Sequence, residues 1–371
     1  MAKADRFTAL ATAVYQDATD VAKSDVRTHL GEVEDYINVL METFGHAMIG
    51  GRLSAAANAN ALTISVVTED GGDPDADEPV YFAFRDPTAT DGDVDLVAVT
   101  SALSLTISAG STLGVSSSTA FRVWVTAHND GGTVRLGAVQ LYDGASLLPL
   151  EEGTLVTTTA EGGAGGADTA GTIYTGTAIS SARPFRILGY CTYETGLGTA
   201  GMYAAVPDIV QNMGPGVHRP GDLVQHRRTV SASTDQNGTA TTIPADNTEP
   251  QSSEGDSYLT RAITPTSKAN ILSIEAKLAI GSDGAIEAIA ALFHDGSASA
   301  LDVETEHMAA NDIHAFRLGH EMRAAVSSSR TFSVRAGPES GSHDFTMNGL
   351  SGSGRFGTAL RSWLNVTELF G

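Results

Sequence analysis

From Ala61 onward, apolar residues fall at every second position in short segments, and this period limits the fold more than any other feature of the chain. Ala61–Val66, Val80–Phe84 and Leu103–Ile107 alternate, and Phe121–Val125 reads as a further strand. Side chains two apart share one face of a strand but not of a helix, so such segments have a core side only when extended. Asn129-Asp130-Gly131-Gly132 has the composition of a hairpin turn, and Val134–Leu141, Gly171–Tyr174 and Phe185–Tyr190 continue the series. Strands at this cadence belong to sandwiches or small barrels. No strand–helix–strand alternation is present, which excludes a doubly wound sheet.

Gln211–Asp222 (QNMGPGVHRPGD) has no period and is dense in Gly and Pro, the composition of a linker. A second series follows it: Tyr258–Thr264, Ile271–Ile280, Ala285–Phe293, Ile313–Leu318, Thr331–Ala336 and Trp363–Leu369. The start of the chain is written differently. Leu30, Val33, Ile37, Leu40 and Phe44 step by three and four, the spacing of a coiled-coil seam, and Gly45–Ala61 is a Gly- and Ala-rich connector. A stripe this narrow asks for partner helices, from sister subunits or a docking protein; a helix packed on its own β domain is the alternative. The expected fold class is mostly β. A helical, coiled-coil-like stem over residues 1–49 precedes two antiparallel sandwich- or barrel-like domains, 50–212 and 222–371, joined by a Gly/Pro linker at 213–221.

Charge narrows the partners. The 371 residues hold 22 Lys and Arg against 44 Asp and Glu, a formal charge of −22, which disfavours phosphate backbones and anionic bilayers. Neither nucleic-acid binding nor membrane insertion is expected: no apolar run approaches membrane-spanning length, and MAKADRFTALATAVYQD lacks the apolar core of a secretion signal. Cys191, the single cysteine, excludes an intrachain disulfide framework and a thiolate zinc site.

The motifs for chemistry fall short. Gly349–Ser353 misses the nucleophile-elbow spacing by one residue, and Gly352, Gly354 and Gly357 have no acidic residue twenty positions on. His320-Glu321 opens like a zincin motif, but Ala324 stands where the second histidine belongs. His294, His307, His314, His320 and His343 form no H-x-H pair, although one histidine per chain suffices for a three-ligand site on a three-fold axis. Asp70, Asp73, Asp75, Asp77 and Glu78, like Asp91, Asp93 and Asp95, offer oxygen ligands for Ca2+. A solvated loop is the simpler reading, because Phe84 occupies the twelfth position counted from Asp73. Trp124 and Trp363 lie inside strand patterns and are expected in cores. No catalytic residue, metal or cofactor is expected.

Asp77–Asp93 (DEPVYFAFRDPTATDGD), Ser101–Val139 and Thr159–Tyr190 resemble the proximal β domain of phage and prophage tail-fibre-like virion proteins. Ile243–Leu278, Ala290–Leu301 (AALFHDGSASAL), Ser327–Pro338 and Arg355–Leu369 (RFGTALRSWLNVTEL) resemble the module that ends such fibres. The resemblance implies a non-enzymatic homotrimer assembled in the host cytoplasm and carried on the virion. It would dock to other virion proteins through the N-terminal helix and meet a host-surface glycan or protein with its distal end. Contact residues are sought in polar turns without strand pattern, at Asp235, Asn237, Asp295, Ser297, Glu339 and His343. A head fibre or capsid decoration protein, a glycan-degrading tailspike and an assembly scaffold remain as alternatives.

Overall fold

The computed structural model describes residues 47–90, 94–163 and 168–371. Among these the chain is built of β-strands, and its one helical element is the 3-10 turn Gly357–Ala359. That corrects the expected fold class, which placed a helical stem before the strands. The seam residues Leu30, Val33, Ile37, Leu40 and Phe44 lie outside the described residues. Where the stem was expected to reach residue 49, the chain is already extended: Met48 and Ile49 pair with Phe82 and Tyr81. Sheet hydrogen bonds at these two residues preclude helical ones.

Two compact units divide the chain. The first runs to Arg219 apart from Gly144–Leu147; the second is Gly144–Leu147 with Pro220–Gly371.

In the first unit, β1 (Met48–Ile49) leads into the hairpin of β2 (Gly51–Asn58) and β3 (Ala61–Thr68), followed by β4 (Val80–Arg85), β5 (Val94–Val99) and β6 (Leu103–Ile107). They form two three-stranded sheets, ordered β1-β4-β5 and β2-β3-β6. β2 occupies the stretch expected as a connector. Its alanines make a poor apolar stripe, but every residue from Gly51 to Asn58 pairs with β3, so the partner strand specifies it. Then come β7 (Phe121–Asp130), β8 (Thr133–Val139), β9 (Thr159–Ala160), β10 (Tyr174–Thr175), β11 (Phe185–Tyr193) and β12 (Ile209–Asn212), in the order β12-β11-β7-β8-β10-β9. Gly131 and Gly132 turn the β7–β8 hairpin with φ of 64° and 90°, a conformation glycine adopts without steric cost. Phe121, Val123, Val125 and Ala127 face a core shared with Phe82, Phe84, Leu62 and Ile64.

The second unit is a two-layer β structure. Its strands are β13 (Leu223–Ser231), β14 (Asp235–Asn237), β15 (Asp256–Ile263), β16 (Ile271–Ser282), β17 (Ile286–His294), β18 (Asp302–Met308), β19 (Asp312–Arg323), β20 (Arg330–Pro338) and β21 (Phe345–Met347). The small hairpin β22 (Gly349–Leu350) and β23 (Ser353–Gly354) precedes the last strand, β24 (Ser362–Leu369). One sheet is ordered β13-β24-β16-β21-β14 with β19 along the other edge of β16; the second is β15-β20-β17-β18. Leu272, Ile274, Leu278, Phe316, Leu364 and Val366 of the first layer meet Leu292, Phe332 and Val334 of the second.

Side chains bridge both open edges of this pair of sheets. On one side Gln225 Nε2 and Thr229 Oγ1 of β13 donate to the carbonyls of Thr264 and Thr260, each at 2.8 Å. On the other, Asp302 accepts from the Gly319 amide at 2.8 Å and Glu304 from the Arg317 amide. Outward N–H groups of β19 that would invite a foreign strand are thereby occupied.

Candidate functional site

The six residues sought as contact positions fall at two ends of the second unit. β17 advances from Ile286 to His294, so its ends stand about 27 Å apart. Asp283 and Gly284 precede it at one end; Asp295 and Ser297 follow it at the other. Asp235, Asn237, Glu339 and His343 gather at the first end. The Glu339 amide bonds the Glu287 carbonyl at 2.9 Å, His343 Nδ1 lies 3.6 Å from Asp283 Oδ1, and the Ala240 amide reaches the His343 carbonyl at 3.0 Å. Asp295 and Ser297 belong to a separate turn, where the Asp295 carboxylate accepts from the Thr331 amide at 2.9 Å and Ser297 Oγ donates to the Ser299 carbonyl at 3.2 Å.

Asp235 and Asn237 are strand residues rather than turn residues, for β14 pairs antiparallel with Phe345–Met347. The three-residue strand is too short to show a period. Around it, Asp235, Asp256 and Asp344 surround the hydroxyl of Tyr258, which is buried without a hydrogen-bond partner among the described residues. Burial first, and these three carboxylates next, push the phenol pKa well up, so Tyr258 stays protonated. Beside them projects Ser351–Ala359, exposed throughout, with Phe356 79% exposed and held in the left-handed region at φ 56°. Nothing in the alternation of the sequence marks Phe356, since the surrounding GSGRFGT has no period.

The histidines do not converge. His307 faces Glu287 at 3.7 Å and His314 faces Glu304 at 3.9 Å. Among the described residues no group of three or more His, Cys, Asp or Glu is placed to hold a metal. In the acidic loop the Asp75 carboxylate accepts from the amides of Asp77 and Glu78, each at 2.8 Å, closing the turn locally.

Two buried polar groups escaped sequence reasoning. On β7, Arg122, Trp124, Thr126 and His128 face away from the apolar core yet are buried as well. Arg122 Nε donates to Thr192 Oγ1 at 3.2 Å, His128 stacks on Phe185, and its Nε2 bonds Thr126 Oγ1 at 2.9 Å. Desolvation lowers the His128 pKa to about 4. In the second unit the fully buried Glu368 accepts from Thr266 N and Oγ1 at 2.8 Å each, and from Asn270 Nδ2 and Gln225 Nε2 at 2.6 Å each. A carboxyl group without such partners would be costly to bury there. Trp363 departs from its expected core position. Leu364 and Ser362, its neighbours on β24, point inward and are fully buried, and Trp363 is half-buried on the outer face.

Among the described residues, fold and site together define an all-β arrangement of two units, of which the second carries loops and strand ends as its candidate contact surface. As a sequence, the chain matches no family model and no curated protein. Among solved structures, it aligns with that of the infectious bursal disease virus Gx strain at 13% identity and a TM-score of 0.24, over 89% of this chain and 80% of that one. The VP2 subviral particle of the same virus aligns at 11% identity and a TM-score of 0.21, over 87% and 76%. An insecticidal crystal protein of Bacillus thuringiensis aligns at 9% identity and 0.16, over 87% and 51%. Scores this low establish no common fold, and no functional reading rests on them.

Proposed function

We propose that this chain is a structural protein of a bacteriophage virion, a non-enzymatic fibre subunit whose second unit meets the host surface. The observation that carries the reading is the end of the second unit, where Asp235, Asn237, Glu339 and His343 gather on a two-layer β scaffold, with the exposed turn that bears Phe356 as a further projecting loop of the same unit. Rigid strands presenting short polar loops with an exposed aromatic suit contact with another surface. Side-chain bridges across the sheet edges suit a part that must not polymerise through its own strands. The resemblance of Asp77–Asp93 and Arg355–Leu369 to fibre modules agrees with it.

Assembly of three copies belongs to the same proposal. Its support is the exposed apolar run Met202, Val206, Ile209 and Val210, on and before β12, which a sister chain would cover. Light scattering of the purified protein is expected to give three times the chain mass. Mass spectrometry of purified particles is expected to find the chain at a few trimers per particle, and added protein is expected to compete with particles for adsorption to the host. Many copies per particle would favour decoration of the head. Absence from particles, or sustained release of reducing sugar from host glycans, would reject the reading.

A further inference from the structure

The outer face of the β13-β24-β16-β19 sheet carries a patch at odds with the charge of the whole chain. Register places Val230, Trp363, Lys277 and Arg317 side by side on four adjacent strands: Val230 pairs with Trp363, Trp363 with Lys277, and Lys277 with Arg317. The inward neighbours Leu364, Ala276 and Leu318 are core residues, so this row faces solvent. Strands lie about 4.8 Å apart, and the row spans about 14 Å. One row along stand Arg228, Asn365, Glu275 and Gly319. The Arg228 guanidinium lies 5.5 Å from the centre of the Trp363 ring.

Three cations thus share the face with one half-buried indole in a chain of net charge −22: Arg228 over its ring, Lys277 on the next strand and Arg317 one strand further. None of them is within ion-pair distance of a carboxylate among the described residues; Glu275 is the one acidic side chain in these two rows. Ala315 and Gly319 flank exposed Arg317 along its own strand, Lys277 stands opposite it, and the Glu304 carboxylate is engaged by the Arg317 amide. Asn365, opposite Arg228, has a buried Oδ1 without a hydrogen-bond partner among the described residues. Surface cations normally collect carboxylates in so acidic a protein. Here they line up on and beside an aromatic ring.

We propose that this face binds an acidic saccharide, a pyranose bearing a carboxylate. The guanidinium of Arg228 or Arg317 takes the carboxylate in a forked pair, Lys277 adds a point charge, and the indole of Trp363 lies against the C–H face of the sugar. Long polyanions are disfavoured, because three cations cannot offset repulsion from the rest of the chain. The inference deepens the adhesion reading and rests on it for biological meaning, but not for its test.

Trigalacturonic acid and the neutral maltotriose serve as probes, titrated into the full chain by calorimetry and followed by tryptophan fluorescence. Trp124 is fully buried, so a ligand-induced change is expected to come from Trp363 and to vanish in Trp363→Phe. The acidic probe is expected to bind at least tenfold more tightly than the neutral one. Arg317→Glu, an exposed change expected to leave the melting temperature in place, is expected to weaken it at least tenfold, and Arg228→Ala severalfold. Equal affinity for the neutral sugar, tighter binding of oligo-dT, no saturable binding of the acidic probe, or indifference to Arg317→Glu would overturn the proposal. Such failure would leave the chain's presence in particles, read by mass spectrometry, unaffected.

Discussion

At the scale of single residues, His128 links burial to pH. Its imidazole is buried and its pKa is lowered to about 4, against about 6.5 in an unfolded chain. Between those values the unfolded state binds a proton that the folded state refuses, so stability is full above pH 6.5 and falls as pH drops towards 4. The total loss from this one group is about 3 kcal/mol. Urea titrations at pH 7 and pH 4.5 are expected to show it, and His128→Leu is expected to flatten it. The same variant loses the bond to Thr126 Oγ1 and should cost about 1 kcal/mol at pH 7. Glu368 is the counterpart in the second unit. Glu368→Gln turns one accepting oxygen into a donor facing Thr266, Asn270 or Gln225, and a loss of about 2 kcal/mol in chemical denaturation is expected.

At the scale of elements, the edge of β19 makes a separate prediction. Asp302 and Glu304, two apart on β18, hold the amides of Gly319 and Arg317, so Asp302→Ala with Glu304→Ala frees two outward N–H groups on one strand. The double variant is expected to lose about 1 kcal/mol and to aggregate faster with concentration in light scattering. β18 also shows where the sequence is silent. DVETEHM has almost no apolar alternation, and its strand state comes from pairing with β17 and from these carboxylates. Leu103–Ile107, by contrast, is legible because Leu105 and Ile107 alternate into a core that β3 completes. β2 was hidden by its alanines and β14 by its brevity. Of the contact residues, Asp295 and Ser297 could be placed in a turn from DGS alone, but their distance from His343 is set by the length of β17, and polarity cannot reveal it. Trp363 was misplaced because an aromatic inside a strand fits either face; only its inward neighbours Ser362 and Leu364 fix the outward one.

At the scale of the whole molecule, the two units have separate apolar cores, one around Phe82, Phe121 and Tyr203, the other around Phe316, Phe332 and Phe345. Cooperativity in unfolding follows contiguous core packing, so a chain with two such cores need not melt as one. Calorimetry is expected to resolve two transitions, and the residue-scale variants assign them. His128→Leu packs within the first unit and should move only one transition. Glu368→Gln lies in the second and should move only the other, each by roughly 2–4 °C per kcal/mol lost. Lowering the pH from 7 to 4.5 should then depress the transition that responds to His128→Leu, and the variant should lose that sensitivity. Were both variants to shift a single common transition, the units would fold as one cooperative body, and a distal unit acting as an autonomous contact module would lose its thermodynamic basis.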